Sequence, residues 1–295
     1  MKNLLHIAAF LLLICNAGEA ATEFFRYDCC GQVIGSVTTY KVKENESLIE
    51  IARKFGLGYN EITAANPDLD PFVPGQGASV TIPTSWILPD VESREGIIIN
   101  LSEMRLYNIY NGGSMLFVQT FPVGIGSEGN DTPAGQFRVI EKIVRPSWHV
   151  PESIRKEKPF LPDVVPPGPG NPLGSHAIRL SNPRILIHGT NKPWGVGRRV
   201  SHGCIRLYPE DIPALFRSAP KGVKVTIVKQ PVKAGFKGDR VYIEVHRENS
   251  KKSNISYFDY AVRLLRKKHM LSRVNTKKLH YAIEEKKGMP VDISD

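Results

Sequence analysis

Two short stretches of this chain carry residue types suited to acyl transfer: Ile187-His188-Gly189-Thr190, and Ser201-His202-Gly203-Cys204-Ile205-Arg206-Leu207. A thiol attacks a carbonyl as its thiolate. A free cysteine, with a pKa of roughly 8.5, holds only a few per cent of that form at neutral pH. A histidine within hydrogen-bond reach takes the proton and activates the sulfur. His188 ends an apolar run, a rigid place for such a base, and Gly189 leaves room for close backbone approach. Gly203 permits a tight turn before Cys204. That turn can aim backbone N–H groups at a developing oxyanion, an interaction worth several kcal/mol in acyl transfer. Two plainer readings compete. A lone cysteine can be a small buried hydrophobe. Cys204, His188 and His202 could also ligate zinc, but a closed zinc site wants four ligands at short paired spacings. Here no second cysteine or carboxylate pair is near.

The 295-residue chain is long enough for two domains to position these groups. Lys2, the apolar run Leu4 to Ile14 and the small residues Gly18 and Ala20 form a secretory signal over residues 1–20. The apolar run is too short to span a membrane, which needs about 20 residues. A lipoprotein signal at Cys15 is the weaker alternative, because Ile14 is bulky where such signals usually carry a small residue. Cleavage leaves Cys29, Cys30 and Cys204, an odd count that implies a free thiol or an intermolecular bridge. How Cys29 and Cys30 pair stays open. The net charge of +10 suits anionic wall polymers, a membrane surface or simple solubility, and export argues against nucleic acid.

Residues 38–84 read as strand, helix, helix, strand. Tyr40-Lys41-Val42 alternates, Ser47 and Glu50 form a capping box, and Leu48, Ile51, Ala52 and Phe55 follow at helical spacing. A second helix over Glu61 to Ala65 is broken by Asn66-Pro67, and Val80 to Ile82 closes the unit. After a connector with Pro83 and Pro89, residues 96–229 turn mainly β. Ile97-Ile98-Ile99 is a buried run. Met104 to Tyr107 and Leu116 to Val118 pair across Asn111-Gly112-Gly113. Further strands fall at Gln136–Ile143, Ala177–Leu180, Arg184–Ile187 and Lys224–Ile227, with one helix at Glu210–Ser218. Residues 156–174 hold six prolines and three glycines. With Trp148-His149 before them they read as a flap over the site, or as a disordered surface insertion. Residues 230–295 form a basic extension with helical spacing at Phe258, Val262, Leu265 and His269 and a second helix from Thr276 to Lys287, ended by Gly288. A helical pair packed on the preceding domain is the preferred reading; an amphipathic clamp on membrane or wall is the other.

The stretch YKVKENESLIEIARKFGLGYNEITAANP with the closing VTIP resembles a LysM module. That resemblance implies a small α+β (βααβ) domain holding N-acetylglucosamine-containing glycan between the loop at Glu46-Ser47-Leu48 and the loop at Asn66-Pro67. The spacing after Asn66 is longer than in compact members. The stretch IHGTNKPWGVGRRVSHGCIRL, supported by GIIINLSEMRLYN and FPVGIGSEGNDTPAGQFRV, resembles the L,D-transpeptidase catalytic family. Resemblance covers about residues 36–246 and implies a mainly β catalytic domain, a β-sandwich, followed by a helical extension. It implies Cys204 as nucleophile and His188 as general base and acid, oriented by the carbonyl of Gly189. Backbone N–H groups of Gly203 and Cys204 would form the oxyanion hole. Ser201 and His202 would shape the loop and contact substrate, Arg206 would stabilise the site or bind a carboxylate, and Trp148 and Trp194 would line the cleft. No cofactor or metal is implied. The implied partners are peptidoglycan stem peptides and glycan strands, with an outer-membrane lipoprotein as one possible acceptor, in the periplasm at the wall. An inactive peptidoglycan-binding protein and a carboxypeptidase using water are the alternatives.

Overall fold

The structure is a computed structural model that describes residues 24–27, 31–111, 116–248 and 256–295. The signal sequence, Cys15, Cys29, Cys30 and the Gly112-Gly113 turn lie outside the described residues.

The N-terminal unit has the expected order. Strand Thr38–Lys41 pairs antiparallel with Ser79–Ile82, and helices α1 (Leu48–Lys54) and α2 (Tyr59–Ala65) lie between them in sequence. Ser47 Oγ accepts from Glu50 N at 3.2 Å and Glu50 Oε2 accepts from Ser47 N at 2.9 Å, so two otherwise orphaned donors are satisfied. Helix α2 starts two residues earlier than the pattern suggested. Glu61 is its third residue and reaches back to cap Gly58 N at 2.8 Å. Asn66 ties α2 to the closing strand, because its side-chain amide donates to Ile62 O and Thr81 O and accepts from Thr81 N. The loop beyond presents Phe72 and Val73, both well exposed.

Residues 96–229 are mainly β, as expected. Among the described residues the main sheet runs, in spatial order, Phe24–Tyr27, Leu116–Pro122, Arg105–Asn111, Gly96–Asn100, Lys224–Val228, Gly135–Val144, His176–Leu180, Leu186–His188 and Ile205–Arg206. A continuous apolar run is what a strand buried on both faces requires. Ile97 and Ile99 enter one core, with Ile187, Ile205 and Leu207, and Ile98 enters the other. The first core is covered by a helix over Asp211–Ser218 through Ile212 and Leu215. The second is covered by the LysM residues Leu48, Ile51, Leu57 and Ile62. The strand expected from Arg184 begins at Leu186, because Asn182 holds a turn by accepting from Arg184 N and Ile185 N. The flap is ordered. Trp148–His149 pairs with Val164–Val165, and helix α3 (Glu152–Glu157) sits between them, so that the Asp211–Ser218 helix is α4 in chain order. Buried Asn171 closes the base of the flap, donating to Pro146 O at 2.9 Å and Val165 O at 3.1 Å.

The C-terminal unit carries the two expected helices, α5 (Tyr257–Lys267) and α6 (Thr276–Glu285). They pack on a three-stranded sheet of Val232–Lys237, Arg240–Val245 and Val291–Asp292, which helical spacing did not reveal. Leu265, Leu279 and Ala282 meet Ala234, Val241 and Ile243 there, so the apolar helix faces are covered by the chain itself. Helix α6 ends at Lys286 with φ 47°, two residues before Gly288. No helix of the described residues is long and apolar enough to cross a membrane.

Buried ionic seams join the three units. Arg105 holds a polar position of an alternating strand, yet it is fully buried, because the LysM unit covers that face. Its guanidinium meets Glu61 at 2.7 and 2.8 Å, donates to Gly56 O and lies over the Trp86 ring. At the other seam Lys233 Nζ lies 2.6 Å from Glu103 Oε2 and 2.9 Å from Glu244 Oε1, with His246 beside them.

Candidate active site

Cys204 and His188, expected from the sequence as nucleophile and base, arrive on or beside neighbouring strands. Leu186–His188 pairs in parallel with Ile205–Arg206, with Ile187 opposite Ile205 and His188 opposite Arg206. Cys204 immediately precedes that strand and therefore lies level with Leu186. Cys204 and His188 line one cavity of about 450 Å³, together with Ser201, His202, Arg206 and Trp148. The thiol's hydrogen-bond acceptor is Arg184 O at 3.8 Å. Arg179 and Arg184 also line this cavity, and Arg179 is held by Glu141 at 2.8 Å.

His188 is buried, and its Nδ1 is 2.6 Å from Gly189 O. A carbonyl can only accept, so Nδ1 carries the hydrogen and Nε2 is left with its lone pair. Burial and the nearby Arg206 charge lower the imidazole pKa to about 4, against the opposing pull of the Gly189 hydrogen bond. Burial raises the Cys204 pKa, partly offset by a backbone hydrogen bond from Leu186 and by the charges of Arg206 and Arg179. Both directions favour the neutral forms, a thiol and an imidazole that line the same cavity.

The loop that presents Cys204 is clamped at its carbonyls. Gly203 has φ +97°, a region open to glycine, while the space where a Cβ would sit is free to 3.6 Å; the backbone angle sets the requirement. Gly203 O accepts from Thr132 Oγ1 at 3.0 Å, and the same hydroxyl accepts from Gly126 N at 3.0 Å. Ser201 Oγ donates to Cys204 O at 2.5 Å. Gly189 sits in a tight space: an added Cβ would meet Ile212 Cγ2 at 3.0 Å and Leu173 O at 3.4 Å, so the Ile212 side chain would have to give by a few tenths of an ångström. Thr132 and Arg184 were not singled out from the sequence. Thr132 stood in the quoted Thr-Pro-Ala-Gly stretch, yet its partner lies far along the chain.

Beyond this pocket lies an outer cavity of about 800 Å³ that also includes Trp148, His202 and Arg206. Trp194 lines only the outer cavity and is 56% exposed. His202 is exposed, with Nε2 3.5 Å from Glu157 Oε2 on the flap helix. Arg206 is half-buried, and its Nε has no hydrogen-bond partner. Among the described residues, Glu103, Glu244 and His246 are the one group of acidic, His or Cys ligand atoms gathered within 4.8 Å. Lys233 already supplies positive charge there. Cys204, His188 and His202 do not form such a group.

Comparison with known proteins gives the family of the chain. The family model of the YkuD L,D-transpeptidase catalytic domain matches residues 94–227, and that of the LysM domain matches residues 40–73. A Salmonella typhimurium protein named "Probable L,D-transpeptidase ErfK/SrfK" is 36% identical over all of this chain and 98% of its own length. Two Escherichia coli proteins, named "Probable L,D-transpeptidase YcfS" and "Probable L,D-transpeptidase YbiS", are each 38% identical. They cover 86% and 83% of this chain, and 83% and 81% of their own lengths.

Proposed function

This chain belongs to the L,D-transpeptidase family of cysteine acyltransferases, and from that premise we propose that it is exported and remodels stem peptides through a Cys204 acyl-enzyme. The observation that carries this reading is one cavity lined by both Cys204 and a buried His188 whose free nitrogen is Nε2. Cys204 Sγ attacks the carbonyl of meso-diaminopimelate in the bond to the terminal D-alanine of a tetrapeptide stem, while His188 Nε2 takes the thiol proton. Gly203 and Cys204 N–H groups stabilise the tetrahedral oxyanion. The C–N bond breaks, and D-alanine leaves as an amine that receives the proton from His188. A thioester remains. An amine then attacks it, gives its proton to His188, and expels the thiol, which regains a proton.

Arg206 sits where the two cavities meet and carries an unpartnered guanidinium N–H, so it suits a substrate carboxylate. The inner cavity takes the acyl donor. The outer one admits the acceptor: a second diaminopimelate side chain, or a lysine of an anchored lipoprotein. The LysM module keeps the insoluble substrate at high local concentration. Incubation of the full chain with disaccharide tetrapeptide, followed by muropeptide analysis, tests the reading. It predicts D-alanine release with cross-linked or amine-transferred products. Products hydrolysed at diaminopimelate alone would make the protein a carboxypeptidase, and no turnover would leave a binder.

A further inference from the structure

A third cavity, of about 560 Å³, lies where the three units meet. Helix α2 of the LysM unit contributes Tyr59 and Thr63, the catalytic domain Arg198, and the C-terminal unit Arg247 and Lys286. Three of these five side chains are cations, and among the described residues none of the three is ion-paired. The Arg198 guanidinium lies 3.6 Å from the centre of the Tyr59 ring, and its buried Nε has no hydrogen-bond partner. Arg247 is exposed. Lys286 leans on the Tyr257 ring at 4.8 Å. The acidic residue at the rim, Glu285, is occupied by Lys287 at 2.5 Å. Lys286 also stands in the left-handed conformation that ends α6, a position where glycine or asparagine costs less. The cavity therefore has an uncompensated positive field, framed by polar and aromatic groups.

Arg198 lines both this junction and the outer cavity of the active site. The junction and the outer cavity thus share one guanidinium. Neutral sugar hydroxyls do not call for three cations, whereas carboxylates do. Resting on the peptidoglycan reading above, we propose that the junction binds the carboxylates of a second stem peptide, carried on the glycan strand that the enzyme is processing. The C-terminal unit is then part of the substrate-binding surface, and Arg247 and Lys286 select strands that bear stems over bare glycan.

The test is equilibrium binding to the full chain carrying Cys204→Ala, so that acyl transfer does not consume the ligand. The probes are uncross-linked glycan strands bearing tetrapeptide stems, and, as bare strands, neutral N-acetylglucosamine oligomers of matched length, because enzymatic removal of the stems would leave a lactyl carboxylate on each muramic residue. The chain should bind stem-bearing strands roughly tenfold more tightly, as expected for two partly exposed cation–carboxylate contacts. High salt should narrow that gap. Arg247→Ser with Lys286→Asn should lower the ratio severalfold, to the preference that the active-site cleft with Arg206 keeps by itself, and leave binding to bare strands unchanged. Asparagine tolerates the left-handed backbone, and an unchanged melting temperature reports an intact fold. Equal affinity of the parent chain for both strands, or an unaltered ratio in the double variant, overturns the proposal. Failure of acyl transfer would be seen separately, as absence of a Cys204 adduct in the active chain.

Discussion

Lowering the pH should leave acyl transfer intact far below the range in which an ordinary histidine titrates. An unperturbed imidazole has a pKa of roughly 6.5. Burial and Arg206 bring His188 to about 4. The displacement corresponds to about 3 kcal/mol in favour of the neutral ring. The base form should therefore persist down to about pH 5, and the acid limb of kcat/KM for D-alanine release should fall near 4. Stability follows the same linkage. Below 6.5 the unfolded chain binds a proton that the folded chain refuses until about 4, so the fold loses up to about 3 kcal/mol as pH falls through that window. Alkylation of Cys204 by iodoacetamide reads the thiol without a titrating substrate. With a neutral thiol at rest, the rate should climb about tenfold per pH unit through the neutral range. An acid limb near 6.5, or an alkylation rate flat from pH 5 to 8, would mean a standing thiolate–imidazolium pair and would refute the burial argument.

Other perturbations test how the site is held. Thr132→Val removes the hydroxyl that donates to Gly203 O and accepts from Gly126 N; it should cost about 2 kcal/mol in urea unfolding and lower kcat more than it raises KM. Glu61→Gln leaves Arg105 buried without its ion-pair partner, and should destabilise the chain by about 3 kcal/mol, read by the same unfolding curves. Asp211 is buried, its Oδ2 has no partner, and burial with the neighbouring Glu210 charge raises its pKa to about 7. The folded chain thus holds a proton that the unfolded chain has already released, and stability falls as pH rises from about 4 to 7. Asp211→Asn should remove that loss, stabilising the chain by up to about 4 kcal/mol at pH 8 and little at pH 4, as measured by thermal unfolding.

Much of the site was legible because its parts are near in sequence. Cys204, Gly203, Ser201 and His188 fall in two short stretches, and a parallel strand pair is enough to bring them together. The LysM helices were legible for a similar reason, since a capping box is a local signal. What escaped were partners made by the tertiary fold. Thr132 meets Gly203 O across a long chain separation. Arg105 sat at a polar position of an alternating strand, and only the docking of the LysM unit turns that position inward. The hairpin Val232–Lys237 and Arg240–Val245 was hidden by Lys233, which breaks the apolar pattern. Lys233 is buried because carboxylates from two units receive it. The end of α6 at Lys286 was missed because Gly288 offered the easier stop.

The most direct test of the central claim is the intact mass of the full chain during turnover of disaccharide tetrapeptide. The account predicts an added mass equal to the donor minus D-alanine, located on Cys204 by peptide mapping and absent from Cys204→Ala. D-alanine release that continues undiminished in Cys204→Ala would contradict it.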